Sequence, residues 1–180
     1  MYATRTAATH PDRPAFIMAS TGETVTYREF EERSNRLAHL LRSQGLQRLD
    51  HYSIFMENNA RYLESEGAGE RSGLYYTCIN SYLTTEEMAY ILDNSESKVL
   101  ITSVARWDVA EAALSDLDRV RLVLVVGGAD AGLDLDGERV RDFDEAVADV
   151  TSTPIDDESL GTAMMYSSGT TGRPKGIIRP

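Results

Sequence analysis

The alternation of predicted strands and helices from Tyr52 onward constrains the fold more than any other feature of this sequence. Apolar, β-prone runs predict strands at residues 52–56, 75–79, 98–102 and 121–126. Helical spacing of apolar residues predicts helices between them, at 59–72, 84–94 and 104–117. The run 121–126 is continuously apolar, as in strands buried on both faces of a parallel sheet. This order predicts an α/β fold, with a largely parallel sheet and flanking helices.

The clearest helix precedes this alternation and spans residues 26–44. Thr26 and Glu29 have capping-box spacing, in which the two side chains bind free N–H groups at the helix start. The apolar face is formed by Phe30, Leu37, Ala38 and Leu41, and Gly45 stands where the helix stops. A β-hairpin of residues 15–19 and 23–26 is predicted before this helix, and an irregular lead-in at residues 2–14.

The other helices carry weaker local signals. Asn58 is the predicted cap of helix 59–72, whose apolar face is weak and whose Gly67 and Gly69 permit close packing. Thr84 and Glu87 repeat the capping-box spacing. Ser103 is the predicted cap of helix 104–117. A short helix at 142–150, an acidic loop at 151–158 and a strand at 160–166 complete the prediction.

Composition limits the class of protein. The chain has 180 residues and a net charge of −11, with no internal boundary, so a single domain over residues 1–180 is expected. A negative field of this size argues against a nucleic-acid partner. No apolar run reaches the roughly 20 residues of a membrane helix. The single cysteine, Cys78, and the absence of a signal peptide predict a cytoplasmic location.

Three other candidate sites are weak. His10, His39 and His51 lack the spacing of metal ligands. Residues 127–132 imitate a glycine-rich dinucleotide fingerprint, but no helix pattern follows them, so a turn is predicted. Cys78 lies inside a predicted strand and is interpreted as an inert core thiol.

The richest chemistry lies in residues 166–176, whose sequence is Tyr-Ser-Ser-Gly-Thr-Thr-Gly-Arg-Pro-Lys-Gly. Glycines let a backbone approach a ligand closely, and successive free N–H groups form an anion site. Hydroxyls donate to phosphate oxygens or bind a hard cation, and lysine supplies a mobile positive charge. The spacing differs from the common NTPase loop, because Pro174 stands where that motif requires its second glycine. Apolar runs on both sides predict a loop held between two strands rather than a flexible linker.

This stretch resembles the phosphate-binding signature of the adenylate-forming superfamily, which includes acyl-CoA synthetases, luciferases and peptide-synthetase adenylation domains. The resemblance implies a set of cofactor-binding residues, namely Ser167, Ser168, Gly169, Thr170, Thr171, Gly172 and Lys175. They would grip the β- and γ-phosphates of ATP, and one hydroxyl would contact Mg²⁺. No catalytic residue is assigned.

The resemblance extends over nearly the whole chain from Pro11. Within the superfamily, it is most specific to fatty-acid–CoA ligases. It departs at Leu49, where the family commonly has glycine, and at Glu64 and Glu66, where the family is more apolar. Enzymes of this family run to roughly three times the length of this chain or more, judged against ordinary domain sizes of ~100–200 residues. The chain therefore looks like the N-terminal part of such an enzyme, ending just after the phosphate loop, and is expected to be inactive alone.

The implied reaction has two halves. A fatty-acid carboxylate attacks the α-phosphate of Mg-ATP and releases pyrophosphate, and coenzyme A then displaces AMP to give a thioester. Three alternatives stay open: an acyl-AMP ligase fragment, a non-catalytic module that self-associates, and a complete small nucleotide-binding protein.

Overall fold

The computed structural model describes residues 3–167 and 173–178. Its N-terminal elements are α1 (Thr4–Thr9), β1 (Pro14–Ile17), β2 (Thr24–Thr26) and α2 (Tyr27–Ser43). The alternating region contains β3 (His51–Phe55), α3 (Ala60–Ser72), β4 (Tyr75–Cys78), α4 (Thr85–Asn94), β5 (Val99–Ser103), a 3₁₀ turn (Val104–Arg106), α5 (Trp107–Ala113) and β6 (Leu122–Val126). The last elements are β7 (Val140–Asp142), α6 (Phe143–Ala148), β8 (Thr162–Ala163), β9 (Met165–Ser167) and β10 (Lys175–Ile177).

A six-stranded sheet with the order β7-β6-β5-β3-β4-β8 forms the centre of the molecule. All of its neighbouring strands pair in parallel. The chain enters at β3, adds β4 on one side, and then crosses back to build β5, β6 and β7 on the other. This reversal between β3 and β5 is the switch point of a doubly wound sheet. The predicted α/β fold with a parallel sheet is confirmed.

Helices cover both faces of this sheet. One core layer packs α2, α3 and α6 against the sheet through residues such as Leu37, Ala68 and Phe143. The opposite layer packs α4 and α5 through residues such as Met88 and Ala110. Strand β6 contributes alternate residues to both layers, which confirms that the apolar run 121–126 is buried on two faces.

Local capping signals fixed two helix starts as predicted. The side chain of Thr26 accepts from the N–H of Glu29, whose carboxylate accepts from the N–H of Thr26 in return. Thr84 and Glu87 form the same reciprocal pair at α4. Gly45 follows α2 with a φ of 75°, a conformation that glycine adopts without a Cβ clash.

Three local predictions were wrong. The cap of α3 is Asn59 rather than Asn58, with its side-chain oxygen 3.2 Å from the N–H of Tyr62. Ser103 does not cap a helix, because its hydroxyl donates to Glu57 at 2.5 Å. The segment predicted as irregular contains α1, whose Thr4 donates to Glu31 of α2 at 2.9 Å, so a tertiary contact supports this short helix.

The weak apolar face of α3 is explained by buried ion pairs. Glu64 is 1% exposed and lies 3.1 Å from Arg33 and 2.9 Å from Arg61. Burial raises the pKa of Glu64, and the two arginines oppose that rise. Gly67 and Gly69 pack as predicted, because an added Cβ would lie 2.6 Å from the Ser34 hydroxyl or 2.4 Å from the Tyr52 hydroxyl. Helix α3 is thus held by charge pairing and close contact.

Candidate functional site

The segment predicted as one strand, 160–166, is divided between two sheets. Its first part, β8, pairs with β4 through Thr162 and Ala163. Met164 donates its N–H to the carbonyl of Tyr76 at 2.9 Å, and the chain then leaves the parallel sheet. Its second part, β9, pairs antiparallel with β10. The single-strand prediction was wrong because two different partners compete for these few residues.

The hairpin of β9 and β10 brings together the two predicted site residues that the structure describes. Ser167 and Lys175 are direct register partners, and both are exposed. Directly paired residues project from the same face of a hairpin. Lys175 has no ion-pair partner among residues 3–167 and 173–178, so its ammonium group is free to meet a ligand. The other predicted site residues, Ser168, Gly169, Thr170, Thr171 and Gly172, lie outside the described residues.

The opposite face of the hairpin rests on α4. Tyr166 donates its hydroxyl to the side-chain oxygen of Asn94 at 2.8 Å. Burial, and then the neighbouring Tyr90, raise the pKa of Tyr166 to about 12, so this hydroxyl keeps its proton near neutral pH. Gly176 pairs with Tyr166. An added Cβ there would clash first with the end of the Met164 side chain and would lie 3.2 Å from the tyrosine ring. The last glycine of the signature therefore serves hairpin packing.

The second attachment to α4 involves Tyr90, which the sequence interpretation missed. Its hydroxyl donates to the carbonyl of Pro174 at 3.0 Å. The guanidinium carbon of Arg173 lies 5.1 Å from the centre of the Tyr90 ring. One feature of the sequence could have indicated this role. Tyr90 lies on the face of the helix opposite the buried residues Met88 and Leu92.

A cleft of about 390 Å³ opens beside the hairpin. It is lined by residues 77–80 at the carboxyl end of β4, by Leu83, Glu87 and Ile91, and by Tyr166, Ser167 and Pro174. Ligands of open α/β sheets bind outside the carboxyl ends of the strands. A larger cleft of about 530 Å³ lies near Arg173, but its lining includes Glu86, Glu87, Asp93 and Asp116. Glu87 lines both clefts, but the other three carboxylates line only the larger one and repel phosphate, so the smaller cleft is the better candidate site.

Cys78 lines this cleft and is exposed, so its assignment to the core was wrong. Its thiol donates to a Glu66 carboxylate oxygen at 3.3 Å. Desolvation, with a contribution from that carboxylate, raises the pKa of the thiol to about 12, although the Tyr62 hydroxyl opposes the rise. The thiol therefore stays protonated at neutral pH and is a poor nucleophile.

Alkylation by iodoacetamide should reveal this inert thiol. A rise in pKa from 9 to about 12 lowers the thiolate fraction at pH 8 about 1,000-fold. A more basic thiolate is also a stronger nucleophile, which offsets about 20-fold of this decrease in reaction rate. The folded chain should therefore react about 50-fold more slowly than the chain in urea. The folded rate should keep rising from pH 8 to 10 while the urea rate levels off near pH 9. Equal rates with the same pH profile would contradict the raised pKa.

Two further observations bear on cofactors and membranes. In the described part of the chain, no group of three or more His, Cys, Asp and Glu side chains could hold a metal ion. Within residues 3–167 and 173–178, no helix has both the length and the apolar character required to span a bilayer.

Residues 127–132 form turns, and no helix follows them directly, which confirms the turn predicted there.

The fold and the cleft define an open, doubly wound α/β protein with a candidate ligand site at the carboxyl end of β4. The profile of the AMP-binding enzyme family matches residues 3–180, and the chain belongs to this family.

Named relatives agree with this membership. The chain is 33% identical over 172 residues to the 3-oxocholest-4-en-26-oate–CoA ligase of Rhodococcus rhodochrous, covering 93% of this chain and 30% of the relative. It is 30% identical over 173 residues to the long-chain-fatty-acid–CoA ligase FadD13 of Mycobacterium tuberculosis (strain CDC 1551 / Oshkosh), covering 96% of this chain and 33% of the relative. The chain thus spans about a third of the length of these relatives.

Solved structures share the fold. The anthranilate CoA ligase AuaEII, in complex with anthranoyl-AMP, aligns with a TM-score of 0.84 at 21% identity, over 98% of this chain and 33% of the ligase. The Mycobacterium tuberculosis fatty acyl CoA synthetase aligns with a TM-score of 0.81 at 22% identity, over 99% of this chain and 33% of the synthetase. The parallel sheet with flanking helices is therefore the fold found in CoA ligases.

Proposed function

We propose that this chain is the N-terminal, phosphate-binding part of an AMP-forming acyl-CoA ligase, which converts a carboxylic acid, ATP and coenzyme A to a thioester. The observation that carries the proposal is the direct pairing of Ser167 and Lys175 beside the cleft at the carboxyl end of β4. The names of the relatives, which are fatty-acid and steroid-acid CoA ligases, favour a hydrophobic acid as substrate and a CoA ligase over an acyl-AMP ligase.

The loop acts on the leaving group of the first half-reaction. The substrate carboxylate attacks the α-phosphate, and the bond to the β-phosphate breaks as pyrophosphate leaves. Negative charge grows on pyrophosphate during this step. Lys175 and the loop hydroxyls, beginning with Ser167, hold the β- and γ-phosphates and stabilise that charge, because preorganised donors act most strongly where charge develops. Coenzyme A thiolate then displaces AMP from the acyl-adenylate.

Mg²⁺ is the metal that this donor set fits. Magnesium in nucleotide sites binds mainly to phosphate oxygens and water, with one or two protein oxygens. A Ser or Thr hydroxyl of the loop, with Ser167 among the candidates, would supply such an oxygen. When bound, Mg²⁺ neutralises part of the phosphate charge. This role matters in a chain with a net charge of −11, which repels polyphosphate at long range.

Substitution of Lys175 tests the proposal. Calorimetric titration with Mg-ATP should give a Kd about 10- to 100-fold weaker for Lys175→Ala, because a hydrogen bond to a charged group contributes about 1.5–3 kcal/mol. Lys98→Ala is a matched control, since Lys98 is the other lysine of the chain and the change in net charge is identical. Lys98 lies 2.6 Å from Asp50, and its loss should leave the Kd within about twofold. Equal weakening by both substitutions would contradict a local role for Lys175.

A second candidate function is a self-associating module in the cytoplasm. Three apolar side chains on or beside the hairpin, Met165, Ile177 and Ile178, are 57%, 48% and 48% exposed. Exposed apolar groups of this kind favour association, and the single cysteine fits a reducing compartment. A sedimentation coefficient that rises with concentration would support association, and a constant monomer value would exclude it.

A further inference from the structure

Helix α4 holds both strands at the base of the phosphate loop. Asn94 accepts a hydrogen bond from Tyr166 on β9 at 2.8 Å. Tyr90 donates one to the carbonyl of Pro174, directly before β10, at 3.0 Å. Each end of the loop is therefore tied to the same helix by a separate polar contact.

The spacing of these contacts matches the geometry of a hairpin. Tyr90 and Asn94 are four residues apart, so their side chains lie on one face of α4. Their separation along the helix axis is about 6 Å, and neighbouring strands of a sheet lie about 4.8 Å apart. One turn of α4 can thus hold two adjacent strands side by side. The same helix is anchored in the core by Met88, Ile91 and Leu92.

The hairpin needs such support. Its strands β9 and β10 contain three residues each and form a two-stranded sheet of their own. Two-stranded hairpins are marginally stable without further packing. The guanidinium carbon of Arg173 also lies 5.1 Å from the centre of the Tyr90 ring, in the larger cleft that the acidic residues of α4 line.

We propose that Tyr90 and Asn94 are positioning residues for the phosphate loop. They clamp the hairpin closed, so that Ser167 and Lys175 stay paired and present one face to the phosphates. This inference rests on the proposed function of the loop. It assigns a role in ligand binding to two residues, Tyr90 and Asn94, that do not line the candidate cleft.

Cleavage by endoprotease Lys-C reports the clamp directly. The chain has only two lysines, and the bond after Lys98 enters the buried strand β5, where Val99 is 0% exposed. Cleavage of the folded chain should therefore occur after Lys175, inside β10, when the hairpin opens. Tyr90→Phe removes the hydroxyl but keeps the ring beneath Arg173. It should raise the opening constant of the hairpin about fivefold, and so the cleavage rate by up to about fivefold. Tyr82→Phe is the matched control, because Tyr82 is 85% exposed, and it should leave the rate unchanged.

Mg-ATP links the clamp to ligand binding. If both stabilise one closed hairpin, the factor by which Tyr90→Phe speeds cleavage and the factor by which it weakens the Mg-ATP Kd should multiply to about five, because a mostly closed hairpin shows the change in cleavage and a mostly open one shows it in Kd. Saturating Mg-ATP should restore slow cleavage. A cleavage rate that saturating Mg-ATP does not slow would overturn the positioning role, and so would a cleavage rate and a Kd that are both unchanged by Tyr90→Phe. A failure of the unsubstituted chain to bind Mg-ATP would overturn the proposed function and the positioning role together. The Lys-C comparison would then still report whether the clamp itself exists.

Discussion

Gly161→Ala should lower the free energy of unfolding by about 3 kcal/mol or more, the upper end of overpacking effects. An alanine Cβ at this position would lie 2.1 Å from the carbonyl oxygen of Gly69 and 2.5 Å from that of Leu74. Both obstacles are backbone atoms, which cannot rotate away. The N–H of Gly161 also donates to the carbonyl of Glu70 at 2.8 Å. Relief of the clash requires β8 to move away from β4, and β8 leads into β9, which carries Ser167.

Urea unfolding followed by circular dichroism measures this effect. Gly128→Ala is the matched control, because its nearest obstacle is the flexible end of Leu135 at 3.1 Å and its φ lies outside the left-handed region. The control should lose at most about 1 kcal/mol. Equal losses in the two variants would show that the β8 segment is not packed as described.

Arg71→Met should cost about 3–5 kcal/mol, the range found when one partner of a buried ion pair is removed. Arg71 is 0% exposed. Its guanidinium group donates to Glu31 at 2.9 Å, to the Gly67 carbonyl at 3.1 Å and to the side-chain oxygen of Asn35. Methionine fills a similar volume but leaves these acceptors of α2 and α3 without their donor. The penalty is therefore the burial of unpaired polar groups rather than a cavity.

The same urea experiment tests Arg71, with an exposed arginine as control. Arg28 lies 3.0 Å from Asp12, and the two side chains are 53% and 85% exposed, so Arg28→Met should change stability by at most about 1 kcal/mol. Adding Glu31→Met to Arg71→Met should recover part of the loss, because it removes the orphaned carboxylate. A small effect of Arg71→Met, equal to that of Arg28→Met, would contradict the buried network.

Sequence reasoning succeeded where structure is decided by neighbours along the chain. The capping pairs Thr26–Glu29 and Thr84–Glu87 are local, and both formed as predicted. The apolar run 121–126 needed only its own composition to indicate a doubly buried strand. The α3 cap was displaced by one residue because Asn58 and Asn59 are chemically identical, so composition could not choose between them.

Sequence reasoning failed where residues that are distant along the chain decide the local structure. Strand β7 was not predicted, because Val140–Asp142 becomes a strand only by pairing with β6. Segment 160–166 was divided because Tyr76 holds Met164 while β10 holds the residues after it. The burial of Arg71 depends on Glu31 and Asn35, 40 and 36 residues away. Such pairings have no signature in local composition.

The candidate site also has features set by local sequence and features set by distant residues. The chemistry of the loop could be predicted from its glycines, hydroxyls and lysine, since each residue type has a known use at phosphate. The pairing of Ser167 with Lys175 agrees with the expected strand-loop-strand arrangement. The phosphate-binding roles of all seven predicted residues stay predictions: Ser167, Ser168, Gly169, Thr170, Thr171, Gly172 and Lys175. The supports from Tyr90 and Asn94 lie 84 and 72 residues from their partners and could not be foreseen.

The most direct measurement repeats the titration of the chain and its two lysine variants with Mg-pyrophosphate and with AMP. If the loop holds the β- and γ-phosphates, Mg-pyrophosphate should compete with Mg-ATP, and Lys175→Ala should weaken pyrophosphate binding about 10- to 100-fold while Lys98→Ala does not. AMP, which lacks both phosphates, should bind weakly and with the same affinity to all three chains. Pyrophosphate binding that is insensitive to Lys175→Ala, or AMP binding that depends on Lys175, would contradict the account.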